Sequence, residues 1–509
     1  MITPIEPPTH KAPRMKKALK LLKPLKPLKP LSALSALALL APLAPLAPAH
    51  AFGGLLVAGG GGSVERTNAE VLLARRGART VMSVSLSYRG GQQGAALLLS
   101  VPADFELTRA KTLPRRLFDR LDLVSAPVAS EYWEQDPCYR EPAQGTKSFE
   151  FGEAEMELSA APGSLTSLFE PKEGAAFIAG EYDLTLLSPE ESGAPAAWLS
   201  ARGYALPAGG AEALAALGAG GRRLLVAAVD PQRVKRDAAG GVTLSPLRLE
   251  LDPSEALALP ARLALAGAAA PLDATVYVLS PEGRHEPSAA PSAPLPSNLD
   301  VAPMPLDALA GLHARLVEDA LGRQGKAAVT ERAWAAGACD PCAAPALAAE
   351  ELRALGGDLL GERGEDLGAW TLTRLRARLA PGAEDLALRP VSPISGGRGE
   401  VEDLTPAGAT EVSAEDAFQA RYVLRHRWEG RVACKAPRFG VWGGAPGEGG
   451  AVGAPPPARL LAGVGRARPA GDLAALIRTP LKDYGVPGGG QGAGNGSGKG
   501  KGKGKGKGK

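Results

Sequence analysis

Four cysteines lie far apart in a chain of 509 residues, at Cys138, Cys339, Cys342 and Cys434. Their pairing constrains the fold more than any other sequence feature, because a covalent link fixes which distant segments meet. Whether they pair depends on the compartment. Residues 15–51 read MKKALKLLKPLKPLKPLSALSALALLAPLAPLAPAHA. A lysine-rich start leads into an uncharged Leu/Ala-rich run from Leu31 to Leu46, then to the small-x-small signature Ala49-His50-Ala51. That is the plan of a secretory signal peptide with cleavage between Ala51 and Phe52. Pro42 and Pro45 interrupt the run, which is short for a spanning helix, and no later segment approaches eighteen consecutive apolar residues. The expected locale is exported: periplasmic, cell-surface or extracellular. There disulfides persist, and four cysteines allow two bridges in three connectivities.

Loop length separates these connectivities. A Cys339–Cys342 bridge closes a very short loop and restrains little, whereas Cys138–Cys434 closes a long one. That combination is the expected pairing. The segment AWAAGACDPCAAPALAAEEL (333–352) also admits a redox reading, with Cys339 as nucleophile and Cys342 as resolving thiol, because Trp334, C-x-P-C and a helix follow in order. Against it, Trp334 stands five residues before Cys339, Pro345 delays the helix, and the approach KAAVTERAWAAGA is a weak strand with no βαβ surround. A zinc-stabilised domain is the third reading. It would need Cys138, Cys434 and His426 to converge on the CDPC pair, since no second CxxC or HxxxH is present. His426 reads instead as a half-exposed strand histidine, and no metal or other cofactor is expected.

Charge narrows the partners. The first 51 residues carry a net +7 and the Gly-Lys tail +6, so against +4 overall the body is acidic, at −9. An acidic body does not suit a specific nucleic-acid surface. Lys499, Lys501, Lys503, Lys505, Lys507 and Lys509 form a mobile polycation suited to anionic envelope polymers.

The pattern predicts an α+β fold, with a β-rich N-terminal lobe of antiparallel strands and short helices followed by a smaller α+β lobe. In TVMSVSLSYRG, Met82, Val84, Leu86 and Tyr88 alternate with Ser83, Ser85 and Ser87, as in a half-buried strand. AEVLLARR and AALLLSVP flank it through glycine turns and suggest an antiparallel meander. KSFEFGE, EYDLTLLS, RRLLVAAVD, LSPLRLEL, ARLALAG and ATVYVLS read as further strands, and AAWLSARGY and GGAEALAALG as helices. Leu306, Leu309, Leu312, Leu316 and Ala320 mark an amphipathic helix, beside which His313 reads as a satisfied helical histidine. A second helix, from about Ala346 to Leu355, is expected to stop at Gly356-Gly357, before strands at AWTLTRLRARL and QARYVLRHRW. The expected organisation is a signal peptide (1–51), a β-rich lobe (52–286), a Pro/Ser-rich linker or surface crossing (287–304), an α+β lobe with the CDPC motif (305–446), a loose segment ending in a short helix (447–486) and a disordered tail (487–509).

Catalytic signatures fail on inspection. His285-Glu286-Pro287-Ser288-Ala289 lacks the second histidine of HExxH, Val64 replaces the third glycine of GxGxxG after Gly59–Gly62, and no GxSxG occurs. Trp198, Trp334, Trp370, Trp428 and Trp442 read as large anchors in a chain short of aromatics.

In order along the chain stand NAEVLLARR…SLSYRG, LLLSVPADF, YWEQDPC, EYDLTLLSPEE…AWLSARGYALP, LSPLRLEL…LALPARL, VTERAWAAGACDPCAAPALAAEELRALG, WTLTRLRARLAPGAEDLAL and FQARYVLRHRWEGRVACKAPRFGVWGG. This series resembles the bacterial family catalogued as domain of unknown function 2330, from about Phe52 to Trp442 and on toward Val486. The resemblance implies an exported protein with no assigned activity and supplies no catalytic residues. Relatives often carry a cysteine near the mature N-terminus, where this chain has Phe52-Gly53-Gly54, so their disulfide pattern does not transfer. The function expected is that of a non-enzymatic, disulfide-stabilised structural or binding module of the cell envelope. The oxidoreductase and zinc readings are its alternatives.

Overall fold

The computed structural model describes residues 54–139 and, from 177 to 487, all but 188–194, 220, 252–256, 260, 267, 269–270, 325–326, 399–407, 409, 446–458 and 462–466. The Ala51–Phe52 junction, the KSFEFGE segment and the lysine tail lie outside the described residues.

The elements that carry the architecture are, in chain order, β1 (Leu55–Ala58), β2 (Val64–Arg76), β3 (Arg79–Gly90), β4 (Ala95–Val101), α1 (Arg115–Ser125), β5 (Val128–Glu134), β6 (Tyr182–Leu186), β7 (Arg223–Val229), β8 (Leu247–Leu251), β9 (Leu272–Ser280), α2 (Leu306–Gln324), β10 (Ala328–Ala335), β11 (Thr371–Leu379), β12 (Ala417–Gln419) and β13 (Arg421–His426). Strands dominate and helices are few and short, so the fold is α+β and β-rich.

The largest sheet runs β12-β10-β11-β9-β2-β3-β8, with short strands beyond each end. Its pairs are antiparallel along this path except β9 with β2, which are parallel. A second sheet runs β1-β4-β7-β6. The two sheets pack face to face: Val71, Leu73, Met82, Val84, Leu86 and Tyr88 meet Leu97, Leu99, Leu225 and Ala227 in one apolar cluster. The outer face of the second sheet is covered by the helices Pro195–Ala201, Gly210–Ala219 and Ala261–Ala264. On the far face of the large sheet, Leu72, Ala74 and Leu279 pack under α1 and the helical run from Ala349 to Leu360.

Double coverage changes the reading of β3. Ser83 and Ser85 are fully buried rather than facing water, because α1 lies over the serine face. The meander is also corrected. β2 and β3 form the expected hairpin, but β4 leaves for the second sheet, between β1 and β7. Gly90, Gly91 and Gly94 all adopt positive φ there, which lets the chain swing out of the first sheet.

ARLALAG is a helix at Ala261–Ala264, not a strand. Asp385 accepts a hydrogen bond from Arg262 N at 3.0 Å, a cap supplied from far along the chain. The helix expected to stop at Gly356-Gly357 begins at Ala349 and continues through a widened turn to Leu360. Gly356 takes φ 138° there, and a Cβ at this position would sit 2.6 Å from Ala74 Cβ on the sheet. The Pro/Ser-rich stretch is not a free spacer: Ala293–Pro294 pairs with β10 and Leu299–Val301 with β13.

A third sheet carries the site. β13 lies parallel to β5, with Leu299–Val301 beyond β13, and Trp442–Gly443 returns antiparallel on the other side of β5. α2 packs on this sheet through Leu309, Leu312 and Leu316 as its periodicity predicts.

Candidate functional site

The structure pairs Cys138 with Cys434 (Cα–Cα 5.4 Å) and Cys339 with Cys342 (Cα–Cα 5.0 Å), and no cysteine is free. The two cystines sit in different settings.

Because β5 and β13 are parallel neighbours, both leave the sheet at the same end, with His426 opposite Trp133. The chain then crosses over the end of β5 as an irregular loop, Arg427–Val441, and returns in the Trp442–Gly443 strand. Cys138 lies on the extension of β5 and Cys434 in the middle of the loop, so the bridge staples one to the other. Glu134, only 3% exposed, holds both feet of the loop. Its carboxylate accepts hydrogen bonds from Trp428 N at 3.2 Å and Gly440 N at 2.7 Å, and lies 3.7 Å from the Arg427 guanidinium. Gln135 N donates to Val441 O and Arg438 N to Pro137 O, each at 2.8 Å. Beneath, the His426 ring stacks on Trp133 at 4.7 Å and its Nε2 lies 2.8 Å from Glu131. Arg425 and Arg427 lie over the Trp442 ring at 5.6 and 5.1 Å.

The loop itself faces outward. From Arg427 to Val441 no residue is buried; Trp428 and Cys434 are half-buried and the others are exposed. It carries Arg427, Arg431, Lys435 and Arg438 against Glu429. Val432, Phe439 and Val441 are 40%, 58% and 45% exposed, and Tyr139, across the staple, is 49% exposed.

The CDPC loop is built differently. It leaves β10 and is cradled by two buried side chains. Arg332 Nη2 donates to Ala338 O at 2.7 Å, and Gln419 Nε2 donates to Asp340 O at 2.7 Å. Burial, and after it the neighbouring Arg374 charge, pulls the Arg332 guanidinium down to about 10. Cys342 is exposed and Cys339 partly so. The following helix starts only at Ala349, with Glu350 and Glu351 in its first turn. Its N-terminal dipole therefore neither reaches the sulfurs nor is left uncompensated. A surface hollow of about 400 Å³ adjoins this loop, lined by Ala335, Gly337, Ala338, Leu347, Leu352 and Asp366, with no cysteine in its lining.

Beside the apolar contact, a buried ionic network links α1 to the large sheet. Glu331 on β10 and Arg374 on β11 are both fully buried and ion-paired. Arg374 also reaches Asp122 at 2.7 Å and Ser125 at 3.2 Å. Glu331 accepts from His313 Nε2 at 2.9 Å, and His313 Nδ1 lies 2.7 Å from the Tyr422 hydroxyl. Arg115 pairs with buried Glu70 at 2.8 Å. Burial would raise the Glu331 carboxyl, but Arg376, Arg374 and His313 override it and hold the group well below the usual carboxylate range. These charges face one another inside the protein. His313 is thus satisfied within the core.

Among the described residues no three His, Cys, Asp or Glu side chains converge as metal ligands. The sulfurs of Cys138 and Cys434 are bound to each other and His426 is engaged by Glu131. Of the tryptophans, Trp334 and Trp370 are core anchors, while Trp198, Trp428 and Trp442 are half-buried. Sequence reasoning missed Glu134 and Glu331. The signal for Glu331 was present in VTERAW, where a Glu-Arg pair interrupts an apolar strand.

The profile of a family described as an uncharacterized protein conserved in bacteria, DUF2330, matches residues 47–386. The chain belongs to the DUF2330 family. No curated protein and no solved structure matches it. The matched span includes Cys138, Cys339 and Cys342 and ends before β12, β13 and the stapled loop. No described helix of this DUF2330 protein is long and apolar enough to cross a membrane.

Proposed function

We propose that this DUF2330 member is an exported, disulfide-stapled binding module of the cell envelope. The observation that carries the reading is the Cys138–Cys434 bridge, which joins segments 296 residues apart and anchors an outward-facing loop. A bond of this kind is stable in an oxidising compartment and is lost in a reducing one. The lysine-rich start, apolar run and Ala49-His50-Ala51 supply the route, with the mature chain beginning at Phe52. The Lys499–Lys509 tail adds a flexible contact to anionic envelope polymers.

The test is fractionation of the exporting host followed by N-terminal sequencing and non-reducing peptide mapping. The expected result is a chain starting at Phe52 with the two bridges intact. Retention in the reducing interior with four titratable thiols overturns the proposal.

The partial exposure of Cys339, the nucleophile in this case, supports a second reading, a thiol-disulfide oxidoreductase using Cys339 and Cys342. Its signature is turnover of insulin disulfides that disappears in Cys342→Ser. The binding-module reading expects no turnover.

A further inference from the structure

We propose that the Arg427–Val441 loop seats the protein on an anionic lipid bilayer. The proposal deepens the binding-module reading and rests on it.

Three observations point to this occupant. The first is composition under exposure. Of seven large hydrophobic side chains exposed among the described residues, Tyr139, Val432, Phe439 and Val441 belong to the loop or its staple. Single exposed apolar residues need no explanation, but a cluster on one loop marks a contact surface. The second is charge. Four cations against one anion stand on this loop, in a chain whose middle, between the basic start and the Gly-Lys tail, sums to −9. An anionic surface therefore attracts this loop.

The third is rigidity. The cystine, the two amides held by Glu134 and the Gln135–Val441 and Arg438–Pro137 bonds order the loop before any partner arrives. Its ordering cost falls within folding rather than binding. The mixture of groups selects the partner class. A purely ionic polymer would engage the cations and leave Val432 and Val441 in water. At a bilayer, Arg and Lys stems reach the phosphates while Phe439 and the valines enter the boundary between headgroups and acyl chains.

The experiment uses the oxidised mature chain with two vesicle types, phosphatidylcholine alone and phosphatidylcholine with about one third phosphatidylglycerol. Co-sedimentation at low salt is expected on the anionic vesicles only. Arg431→Gln/Lys435→Gln/Arg438→Gln should bind about a hundredfold more weakly, at roughly fivefold per cation lost. Phe439→Ser/Val441→Ser should also weaken binding, with the bridge and circular dichroism unchanged. Phe439→Trp should shift its emission to shorter wavelength on anionic vesicles alone. A chain lacking residues 487–509 separates the tail from the loop and should retain the Trp shift.

Wild-type binding by the loop variants overturns the proposal. Binding without a Phe439→Trp shift also overturns it, since only the tail or a headgroup contact would then be at work. No binding to either vesicle overturns it too, and leaves a protein partner for the loop. The peptide mapping above scores the export reading independently of all three outcomes.

Discussion

The ionic network under α1 and the Arg427–Val441 loop use the same residue types to opposite ends. Arg374 is fully buried between Glu331 and Asp122, with Ser125 and the α1 backbone beside it. Arg431, Lys435 and Arg438 stand exposed, with one acidic residue among the loop's side chains. In the first region removal from water forces each charge to be matched within the protein, since an unmatched buried ion costs several kcal/mol. In the second, water solvates the charges, so the fold need not match them and an external anion can. The comparison separates charge that specifies the fold from charge available to a partner. Glu134 stands between the two cases, a buried carboxylate whose partners are the feet of the exposed loop.

The sharpest way to break this contrast is Glu331→Ala. It takes from fully buried Arg374 one of its two carboxylate partners, leaving Asp122, and should destabilise by about 3–5 kcal/mol, read by denaturant unfolding. A loss below about 1 kcal/mol would mean that the network does not specify the fold. The pH dependence has a definite sign. The folded Glu331 carboxyl is depressed, so its contribution is complete above the unfolded value of about 4.3 and declines as pH falls toward the folded value. The Tm gap between wild type and Glu331→Gln should therefore narrow in acid below about pH 4.

Replacing both Cys138 and Cys434 by serine should also cost about 3–5 kcal/mol, because the bridge closes a very long loop. Replacing both Cys339 and Cys342 should cost at most about 2 kcal/mol by the same relation. Equal losses from the two double variants would show that loop closure is not what the long bridge contributes. Glu134→Ala leaves two amides unmatched and should cost about 1–3 kcal/mol, with faster hydrogen exchange at Trp428 and Gly440. Arg431→Gln with Arg438→Gln should change stability by less than about 0.5 kcal/mol while weakening vesicle binding. A larger stability loss would place those arginines with the structural charges.

Much of the local structure was legible. The alternation in β3, the spacing of α2 and the strands at β7, β9, β11 and β13 follow from side-chain periodicity, which each segment carries in itself. The family, too, was readable from short motifs in order. The site was half legible: the cysteines were evident, but nothing near Cys434 shows that Glu134, 300 residues earlier, fixes the loop.

By itself, then, the sequence determined the strand or helix character of its strongly periodic segments, how its charge divides and which sulfurs are available to pair. Only the tertiary structure decided that β4 joins the second sheet, that the serine face of β3 is buried, that ARLALAG is a helix capped by Asp385, and that β5 and β13 lie side by side. The physical reason is range. Periodicity is a property of neighbours along the chain, whereas sheet partners, caps and charge compensation depend on groups hundreds of residues away whose proximity folding alone creates.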